Sequence, residues 1–311
     1  MNKSIVLNMC GVKSLGGLEI AKNAIQAINE SEFQLILLHN DNLSLTTYNP
    51  DQLIEIKTNL HRFFHPFLNL FLGRPKMNLI NNSEATIHIG NFGFNTKNKS
   101  FIMIQNILPL KKKDLKNIVL RYFINKSFKQ SDFIIYQLDH VAKSINNRFN
   151  KKLIRIGEIN KSFKDLNSQV GIISILSKIK NKNSAFIEEV LGEVSITIPN
   201  IKITKFSSSN ATKDNDSKNF LQSLTGHNIY FHASFYETVG LPLYEASSNG
   251  LFVVGPNNNY MSYFDSNNSA KFTQNNVTSA VNQILTVLEK KQKNYESLSY
   301  VENWNLVLDI I

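Results

Sequence analysis

Two carboxylates, Glu237 and Glu245, flank a Gly-x-Pro turn in the segment YFHASFYETVGLPLYEASSNGLFVV, residues 230–254. The apolar runs on either side predict a strand, a loop, a short helix that begins at Pro242 and ends before Gly250, and a second strand. This order is a βαβ unit of a parallel sheet. Because parallel sheets bind ligands beyond the carboxyl ends of their strands, we expect Glu237 and the first helical turn to face a ligand.

The predicted helix start suits a diphosphate. The backbone N–H groups around Gly240, Leu241 and Leu243 lack intrahelical partners, and the positive end of the helix dipole adds to their attraction for anions. Glu245, about one turn into the helix, can accept hydrogen bonds from a vicinal diol such as ribose. A nucleotide sugar carries both groups, which places Gly240, Leu241, Pro242 and Glu245 on the donor. The alternative is a surface loop with two exposed glutamates.

Residues 234–250, with seven residues between the two glutamates, resemble the E-x7-E signature of glycosyltransferase family 4. The match includes the Gly-Leu-Pro turn, the Glu-Ala pair at 245–246 and the closing glycine. These are retaining enzymes of the GT-B architecture. The resemblance implies an α/β fold with two Rossmann-like domains whose parallel sheets face each other across a cleft that holds the active site. It covers most of the chain in outline and is close only in residues 234–250.

Composition narrows the class of protein. With 311 residues, 42% of them hydrophobic, the chain is long enough for two folded domains. Its 34 basic and 24 acidic residues give a net charge of +10, which fits nucleic acid, an anionic membrane or acidic small molecules alike. The single cysteine, Cys10, excludes an intramolecular disulfide and fits a reducing compartment. The apolar stretch at the N-terminus is too short for a secretory signal, so we expect a cytoplasmic protein.

The remaining hydrophobic pattern alternates strands with helices and falls into two halves. Strands are predicted at residues 4–9, 33–38, 85–89, 101–105, 132–136, 151–156, 171–176 and 201–206. Helices are predicted at residues 18–30, 114–130 and 184–193, and a solvated loop at 207–218.

The domain boundary is expected near Asn150, where the basic, asparagine-rich residues 146–152 are typical of a linker. Together with the resemblance, this gives an N-terminal acceptor-binding domain at 1–150 and a C-terminal nucleotide-sugar-binding domain at 151–299. Residues 300–311 resemble the start of the family's terminal helix, which crosses back to the first domain. Trp304 within them is alternatively a plain core residue.

Further candidate donor-binding residues lie in two other loops. The pair Gly16 and Gly17 stands in a loop before the first predicted helix, where missing side chains let a ligand approach the main chain. The pair resembles the first loop of family 4 enzymes, although turn geometry alone also explains it. Residues 174–190 resemble the family's loop that supplies an Arg and a Lys to the phosphates. Lys180 and Lys182 are the candidates, and the usual arginine is missing.

Polar residues at strand ends of the first half are further candidates. His88 resembles the family histidine near the donor sugar, so the resemblance makes Glu237 and His88 the catalytic residues; a structural, hydrogen-bonded histidine is the alternative. Asn91, Gln105 and Asn106 resemble residues that face the acceptor, and capping or turn roles are the alternative. Glu237 is expected to bind donor hydroxyls or support charge at the sugar.

Metal-ligand motifs are missing from the sequence, with neither Asp-x-Asp nor clustered His and Cys residues. We therefore expect a metal-independent reaction without a cofactor, in which a UDP- or GDP-hexose is the substrate.

Two stretches combine basic and apolar residues. Residues 111–129, KKKDLKNIVLRYFINKSFK, have a cationic amphipathic character that suits anionic lipid. Residues 60–76, LHRFFHPFLNLFLGRPK, are rich in Phe and Leu and too short to span a bilayer. The alternative for both is an ordinary helix with a solvated cationic face. No nucleic-acid-binding motif accompanies the charge.

The sequence therefore predicts a retaining hexosyltransferase that acts on a lipid-linked glycan in the synthesis of O-antigen, capsule or lipopolysaccharide, peripheral on the inner membrane face. Two alternatives remain open. One is a sugar-nucleotide 2-epimerase, which shares the architecture, and the other is a degenerate, non-catalytic partner of another transferase.

Overall fold

A computed structural model describes residues 3–12, 15–39, 53–58, 62–145, 151–166, 169–207, 213–289 and 295–311. The chain divides into two compact units. Unit 1 comprises Met1–Glu158 and Glu302–Ile311, and unit 2 comprises Ile159–Val301.

Unit 1 alternates strands and helices. In chain order its elements are β1 (Ser4–Asn8), α1 (Leu15–Asn29), β2 (Gln34–His39), β3 (Leu53–Lys57), a 3₁₀ helix (Arg62–Leu70), α2 (Gly73–Asn81), β4 (Ala85–Ile89), β5 (Lys99–Met103), α3 (Leu108–Lys111), α4 (Leu115–Gln130), β6 (Phe133–Tyr136), α5 (Asp139–Ile145) and β7 (Lys152–Arg155).

Within its described residues, unit 1 has a seven-stranded sheet in the order β3-β2-β1-β4-β5-β6-β7. Every pair of neighbours is parallel. The order reverses between β1 and β4, where Asn8 stands opposite His88. Strand β4 is buried along its whole length and β1 is buried from Ile5 onward, as expected for nearly continuous apolar runs covered on both faces.

Two features of unit 1 differ from the sequence-based predictions. Helix α1 begins at Leu15, so Gly16 and Gly17 lie in its first turn and not in a loop before it. Strand β7, predicted to open the second half, pairs in parallel with β6 and belongs to the first sheet. Within the apolar stretch, residues 62–70 form the 3₁₀ helix, which contains Pro66, and α2 begins at Gly73. Residues 146–150, which make up most of the predicted linker, lie outside the described part of the chain.

Unit 2 continues the alternation. Its elements are β8 (Gly157–Lys164), which begins in unit 1, β9 (Gly171–Leu176), a 3₁₀ turn (Lys180–Lys182), α6 (Ser184–Thr197), β10 (Lys202–Ser207), α7 (Lys213–Ser223), β11 (Ile229–Phe231), α8 (Leu241–Ser248), β12 (Phe252–Pro256), a 3₁₀ turn (Asn259–Tyr263), β13 (Ser269–Phe272), α9 (Val277–Glu289) and β14 (Tyr295–Glu302). The last helix of the chain, α10 (Asn305–Leu308), belongs to unit 1.

The described part of unit 2 contains a five-stranded sheet in the order β10-β9-β11-β12-β13, again with parallel neighbours throughout. The order reverses between β9 and β11. Strands β8 and β14 pair with each other in a separate two-stranded sheet. The predicted α/β class with parallel sheets is therefore confirmed.

Two predictions in the C-terminal half are wrong in detail. Residues 213–218, predicted as part of a solvated loop, form the start of α7, because Phe220 and Leu224 supply a buried face that the polar composition hides. Residues 300–302 extend β14 and are not helical, which leaves only the four-residue α10 in the tail.

The tail packs into unit 1. Trp304 is 3% exposed and Val307 is fully buried, and both join the core cluster formed by β1, β4 and α1. The Trp304 indole N–H donates to a Glu302 carboxylate oxygen at 3.0 Å.

Within the described ranges, no helix is both long enough and apolar enough to cross a bilayer.

Candidate functional site

Glu237 lies in the loop between β11 and α8, beyond the carboxyl end of β11. This end of the sheet adjoins the reversal of strand order between β9 and β11, which is where parallel sheets bind ligands. The Glu237 side chain is 13% exposed. Because the carboxylate is largely removed from water and still reachable, nearby charges act on it strongly.

Lys182 forms an ion pair with this carboxylate, with Nζ 2.5 Å from Glu237 Oε1. The lysine belongs to the 3₁₀ turn that follows β9, and its side chain is 28% exposed. Lys180, the other candidate, is exposed at the start of the same turn. The structure therefore separates the two lysines and brings only Lys182 to Glu237.

Asn181 fixes this geometry. Its buried side-chain amide donates from Nδ2 to the Tyr236 carbonyl at 2.7 Å, and its backbone carbonyl accepts from the Phe235 N–H at 3.0 Å. Two hydrogen bonds thus join the turn after β9 to the loop after β11. Asn181 precedes Lys182 and Tyr236 precedes Glu237 in the chain. The hydrogen bond between Asn181 and Tyr236 therefore fixes the position of the lysine relative to the glutamate.

A buried histidine completes the surroundings of Glu237. His232 directly follows β11, and its Nε2 lies 3.4 Å from Glu237 Oε1. The other ring nitrogen, Nδ1, hydrogen-bonds the Tyr230 hydroxyl at 3.2 Å. The Tyr260 ring packs edge-on against the imidazole, with centroids 5.8 Å apart. The imidazole is thereby held between a phenol and the carboxylate.

The pKa values of Glu237 and His232 are shifted from their usual range. Burial works against ionisation of Glu237, but the Lys182 ammonium and His232 outweigh it and lower the pKa of Glu237 to about 2. Burial lowers the pKa of His232 despite the opposing effect of Glu237. At neutral pH the cluster therefore holds an ionised carboxylate beside an ammonium and a neutral imidazole.

Glu245 acts on the same region. It lies on α8 and is half-buried. Burial raises the pKa of Tyr230 well above its usual value, and the charges of Glu237 and Glu245 both raise it further. Since charge effects fall with distance, both carboxylates lie within electrostatic reach of one phenol.

The start of α8 has the predicted geometry with one correction. Gly240 is the N-cap with φ +76°, and Pro242 lies within the first two helical positions. An added Cβ at Gly240 would stand 2.8 Å from Leu243 Cδ1, so this position requires glycine. The Leu243 N–H, predicted to be open to a ligand, donates to the Gly240 carbonyl at 2.8 Å. Of the backbone N–H groups predicted to face a ligand, those of Gly240 and Leu241 remain as candidates at the start of α8.

In unit 1, His88 is fully buried in β4. Asn8 Nδ2 lies 2.9 Å from His88 Nδ1, and the ring packs against Phe94 with centroids 4.9 Å apart. An added Cβ at Gly93 would stand 2.6 Å from the ring. Burial lowers the pKa of His88 to about 3, so the imidazole is neutral. These contacts fit the structural alternative that the sequence left open, and the catalytic role of His88 stays a prediction.

The acceptor-side candidates also have structural contacts. Asn91 has a left-handed backbone with φ 71° and is 3% exposed. Its Oδ1 accepts from the N–H groups of Gln105 and Asn106 at 2.6 and 3.1 Å, and its Nδ2 donates to the Asn106 carbonyl at 2.6 Å. Asn106 Oδ1 accepts from the Leu108 N–H at 2.9 Å at the start of α3. These contacts match the turn and capping alternatives.

Gln105 and the glycine pair lie side by side. Gln105 Nε2 donates to the Gly17 carbonyl at 3.4 Å, and both Gly16 and Gln105 are partly exposed. Gly16 and Gln105 are thus two candidates of unit 1 that lie near one another and retain accessible surface.

We compared the chain with known proteins. No family model and no curated protein sequence matches it. Sucrose-phosphate synthase from Thermosynechococcus elongatus superposes with a TM-score of 0.63 at 10% identity, covering 93% of this chain and 90% of that one. WaaG, a glycosyltransferase involved in lipopolysaccharide biosynthesis, gives 0.63 at 9% identity, covering 92% and 90%. UDP-GlcNAc 2-epimerase from Methanocaldococcus jannaschii gives 0.56 at 10% identity, covering 94% of each chain.

The chain has the GT-B fold. The predicted GT-B fold is therefore confirmed, whereas membership of family 4 stays a prediction. Identities near one in ten show a shared fold alone, so the roles of residues in this GT-B chain rest on its own geometry.

Sequence reasoning overlooked His232 and Asn181. His232 was read as part of a buried strand, yet a polar residue directly after a buried parallel strand is a signal for the ligand edge of a GT-B domain. Asn181 lies between the two candidate lysines, and nothing in its surroundings in the sequence marks it as a link between two loops.

Among the described residues, His, Cys, Asp and Glu side chains do not gather in groups of three or more that could hold a metal ion. Metal independence stays a prediction.

Proposed function

We propose that this protein is a retaining glycosyltransferase that moves a hexose from a nucleoside-diphosphate sugar to a hydroxyl of a lipid-linked glycan. The observation that carries the proposal is the meeting of Lys182, Glu237 and the start of α8 at the carboxyl edge of the unit 2 sheet. The GT-B fold supports it, since the neighbours named above include two enzymes that act on nucleotide or phosphorylated sugars.

The donor's diphosphate fits the start of α8. The N–H groups of Gly240 and Leu241 offer hydrogen bonds to its oxygens, and Lys182 supplies a cation within reach. As the glycosidic bond to the leaving diphosphate breaks, negative charge grows on the phosphate, and preorganised donors stabilise that charge. Glu245 accepts hydrogen bonds from the ribose diol.

Glu237 acts at the sugar. Its pKa of about 2 keeps it ionised at neutral pH, so it binds sugar hydroxyls and supports positive charge as the anomeric carbon becomes oxocarbenium-like. When Lys182 turns toward the phosphate, His232 remains beside the carboxylate and holds its position. The reaction needs no metal in this scheme, because Lys182 and the helix start neutralise the leaving group.

The acceptor is the less defined substrate. Unit 1 is the proposed acceptor domain, with Gly16 and Gln105 at its accessible edge and the Gly17 carbonyl accepting from Gln105 Nε2. A lipid-linked glycan for O-antigen, capsule or lipopolysaccharide is proposed because WaaG has the same fold and its name places it in lipopolysaccharide biosynthesis. We place the reaction at the cytoplasmic face of a membrane, in keeping with the single cysteine and the basic charge.

The test is a panel of radiolabelled UDP- and GDP-hexoses incubated with the protein and with membranes or a lipid-linked acceptor. We expect nucleoside diphosphate release and label in the lipid fraction with one donor. Glu245→Ala should abolish the release. Glu189→Ala, on the exposed face of α6, is the matched control and should leave it intact. Release that survives Glu245→Ala would contradict the proposal.

A sugar-nucleotide 2-epimerase is the second candidate, favoured by the TM-score of 0.56 with UDP-GlcNAc 2-epimerase. It predicts a new sugar nucleotide in the absence of any acceptor, which chromatography of the same reactions would detect. A non-catalytic partner is the third, favoured by the missing arginine in residues 174–190. It predicts donor binding without turnover, unchanged by Glu237→Gln.

A further inference from the structure

Helix α4 of unit 1 has two apolar faces. The buried face consists of Leu120, Ile124, Ser127 and Phe128. The opposite side carries a second row, which we call the α4 stripe: Leu115, Ile118, Val119 and Tyr122, with exposed fractions of 78%, 49%, 42% and 65%. Their spacing of three, four and seven residues places them on one face of the helix. A surface helix normally presents polar residues on its outer side, so the exposed apolar stripe indicates a surface that binds a partner.

An exposed aromatic pair lies on the neighbouring elements. The rings of Phe64 and Phe71 touch edge to face with centroids 6.0 Å apart, and they are 49% and 55% exposed. Leu70 beside them is 72% exposed. The 3₁₀ helix that carries Phe64 packs on α4 through Phe67, whose ring contacts Phe123 at 6.3 Å. Lys126 Nζ stands 3.6 Å from the centre of the Phe67 ring and fastens the same junction.

The charge around these apolar groups is of one sign. Lys111, Lys113 and Lys116 surround the start of α4 and are exposed, as is Lys129 at its end. Asp114 is the only acid in the sequence from residue 85 to residue 131, and it caps α4 by accepting from the Asn117 N–H at 3.0 Å. The surface therefore offers apolar side chains within a positive field.

Arg121 is not part of this surface. Its Nε donates to the Pro109 carbonyl at 2.9 Å and its Nη2 to the Lys112 carbonyl at 2.5 Å. The arginine thus links α3 and the residue after it to α4.

We propose that the α4 stripe, the Phe64–Phe71 pair and the lysines around them dock unit 1 on an anionic lipid surface. Lipid headgroups attract the lysines, and the aliphatic side chains enter the boundary between headgroups and acyl chains. A second copy of the same face is a poorer partner, because two faces of like charge repel. A nucleic acid is also a poorer partner, since the two most exposed apolar side chains of this surface, Leu115 at 78% and Leu70 at 72%, are aliphatic and offer no ring on which a base could stack.

The experiment measures sedimentation of the whole chain with phosphatidylcholine vesicles, with and without phosphatidylglycerol, in the absence of any sugar donor. We expect binding to the anionic vesicles only, weakened by added salt. Leu115→Ser/Ile118→Ser should weaken it about tenfold or more, since each change removes exposed apolar surface. Lys116→Glu/Lys129→Glu should weaken it by a comparable factor or more, because each lysine contributes about fivefold and reversal adds repulsion.

The matched control is Ile196→Ser/Lys205→Glu in unit 2, which changes an isoleucine that is 74% exposed and an exposed lysine and should bind as the unmodified protein does. Equal binding to both vesicle types, or binding untouched by the α4 variants, would overturn the proposal, as would tighter binding to a labelled oligonucleotide than to the anionic vesicles. Because no donor is present, failure here leaves the transferase proposal standing, and loss of donor turnover leaves this one standing.

Discussion

In unit 1, the strands beside the reversal of strand order carry Asn8, the last residue of β1, and His88, the last but one of β4. These two buried neutral groups hydrogen-bond each other. In unit 2, the corresponding strands, β9 and β11, lead into loops that bring Lys182 and Glu237 into a partly exposed ion pair. The same position in two parallel sheets is therefore used for packing in one unit and for charge in the other. Charged groups that stay accessible can act on a ligand, so we place the donor chemistry in unit 2.

Removing the charge of Glu237 tests this comparison most severely. Glu237→Gln keeps the shape of the side chain and leaves Lys182 and His232 without their ionised partner. We expect the rate of hexose transfer to fall about a hundredfold or more, as happens when a group that supports transition-state charge is lost. The measurement is nucleoside diphosphate release under saturating donor.

Glu188→Gln is the matched control for that variant, because Glu188 is an exposed glutamate on α6 of the same unit. It should turn over like the unmodified protein. Unimpaired turnover in Glu237→Gln would mean that the charged cluster of unit 2 is structural, as the Asn8–His88 pair is in unit 1.

Two glycines with the same backbone conformation compare the packing of the two units. Gly240 at the start of α8 has φ +76° and Gly73 at the start of α2 has φ +75°. An added Cβ at Gly240 meets the buried Leu243, whereas at Gly73 nothing lies within 4 Å. We expect Gly73→Ala to cost about 1 kcal/mol of unfolding free energy from backbone strain alone, and Gly240→Ala about 2 to 3 kcal/mol.

Urea unfolding followed by circular dichroism measures both glycine variants. Equal losses for Gly73→Ala and Gly240→Ala would show that the start of α8 is loosely packed, which would weaken the case for a preorganised diphosphate site.

The sequence was informative where local signals and tertiary packing agree. The segment around Glu237 has apolar strands, a Gly-x-Pro helix start and a closing glycine, and β11, α8 and β12 appear there. The prediction failed for residues 213–218, whose polar composition hides the few buried residues of α7. The link from Asn181 to the Glu237 loop joins residues 55 positions apart, which no local pattern encodes.

The neutral pair of unit 1 should appear in the pH dependence of its stability. The pKa of His88 is about 3 in the folded protein, against 6.5 for an ordinary histidine, so the unfolded chain binds a proton that the folded one does not. Stability is therefore full above pH 6.5 and falls as the pH drops toward 3. This contribution amounts to about 2 kcal/mol between pH 6.5 and pH 5.

His88→Leu should remove that part of the slope. The chain's single tryptophan, Trp304, packs in the core of unit 1, so its fluorescence during urea unfolding reports on that unit. His227→Leu, a histidine of unit 2, serves as the comparison and should leave the slope of unit 1 unchanged. Parallel pH profiles for His88→Leu and the unmodified protein would show that His88 titrates normally and is open to solvent.

The two lysines of the turn after β9 give the finest test within unit 2. Lys182 pairs with Glu237, while Lys180 two residues earlier is exposed. We expect Lys182→Ala to weaken donor binding about tenfold or more. A hydrogen bond between charged groups, such as that from the ammonium to phosphate, typically contributes about 1.5 to 3 kcal/mol to the binding free energy. Lys180→Ala should change binding by no more than about twofold, as for most solvated charges. Calorimetric titration with the nucleotide sugar measures the affinity of both variants. A larger loss of affinity in Lys180→Ala than in Lys182→Ala would mean that the turn rearranges around the diphosphate. The ion pair would then not mark the position of the phosphate.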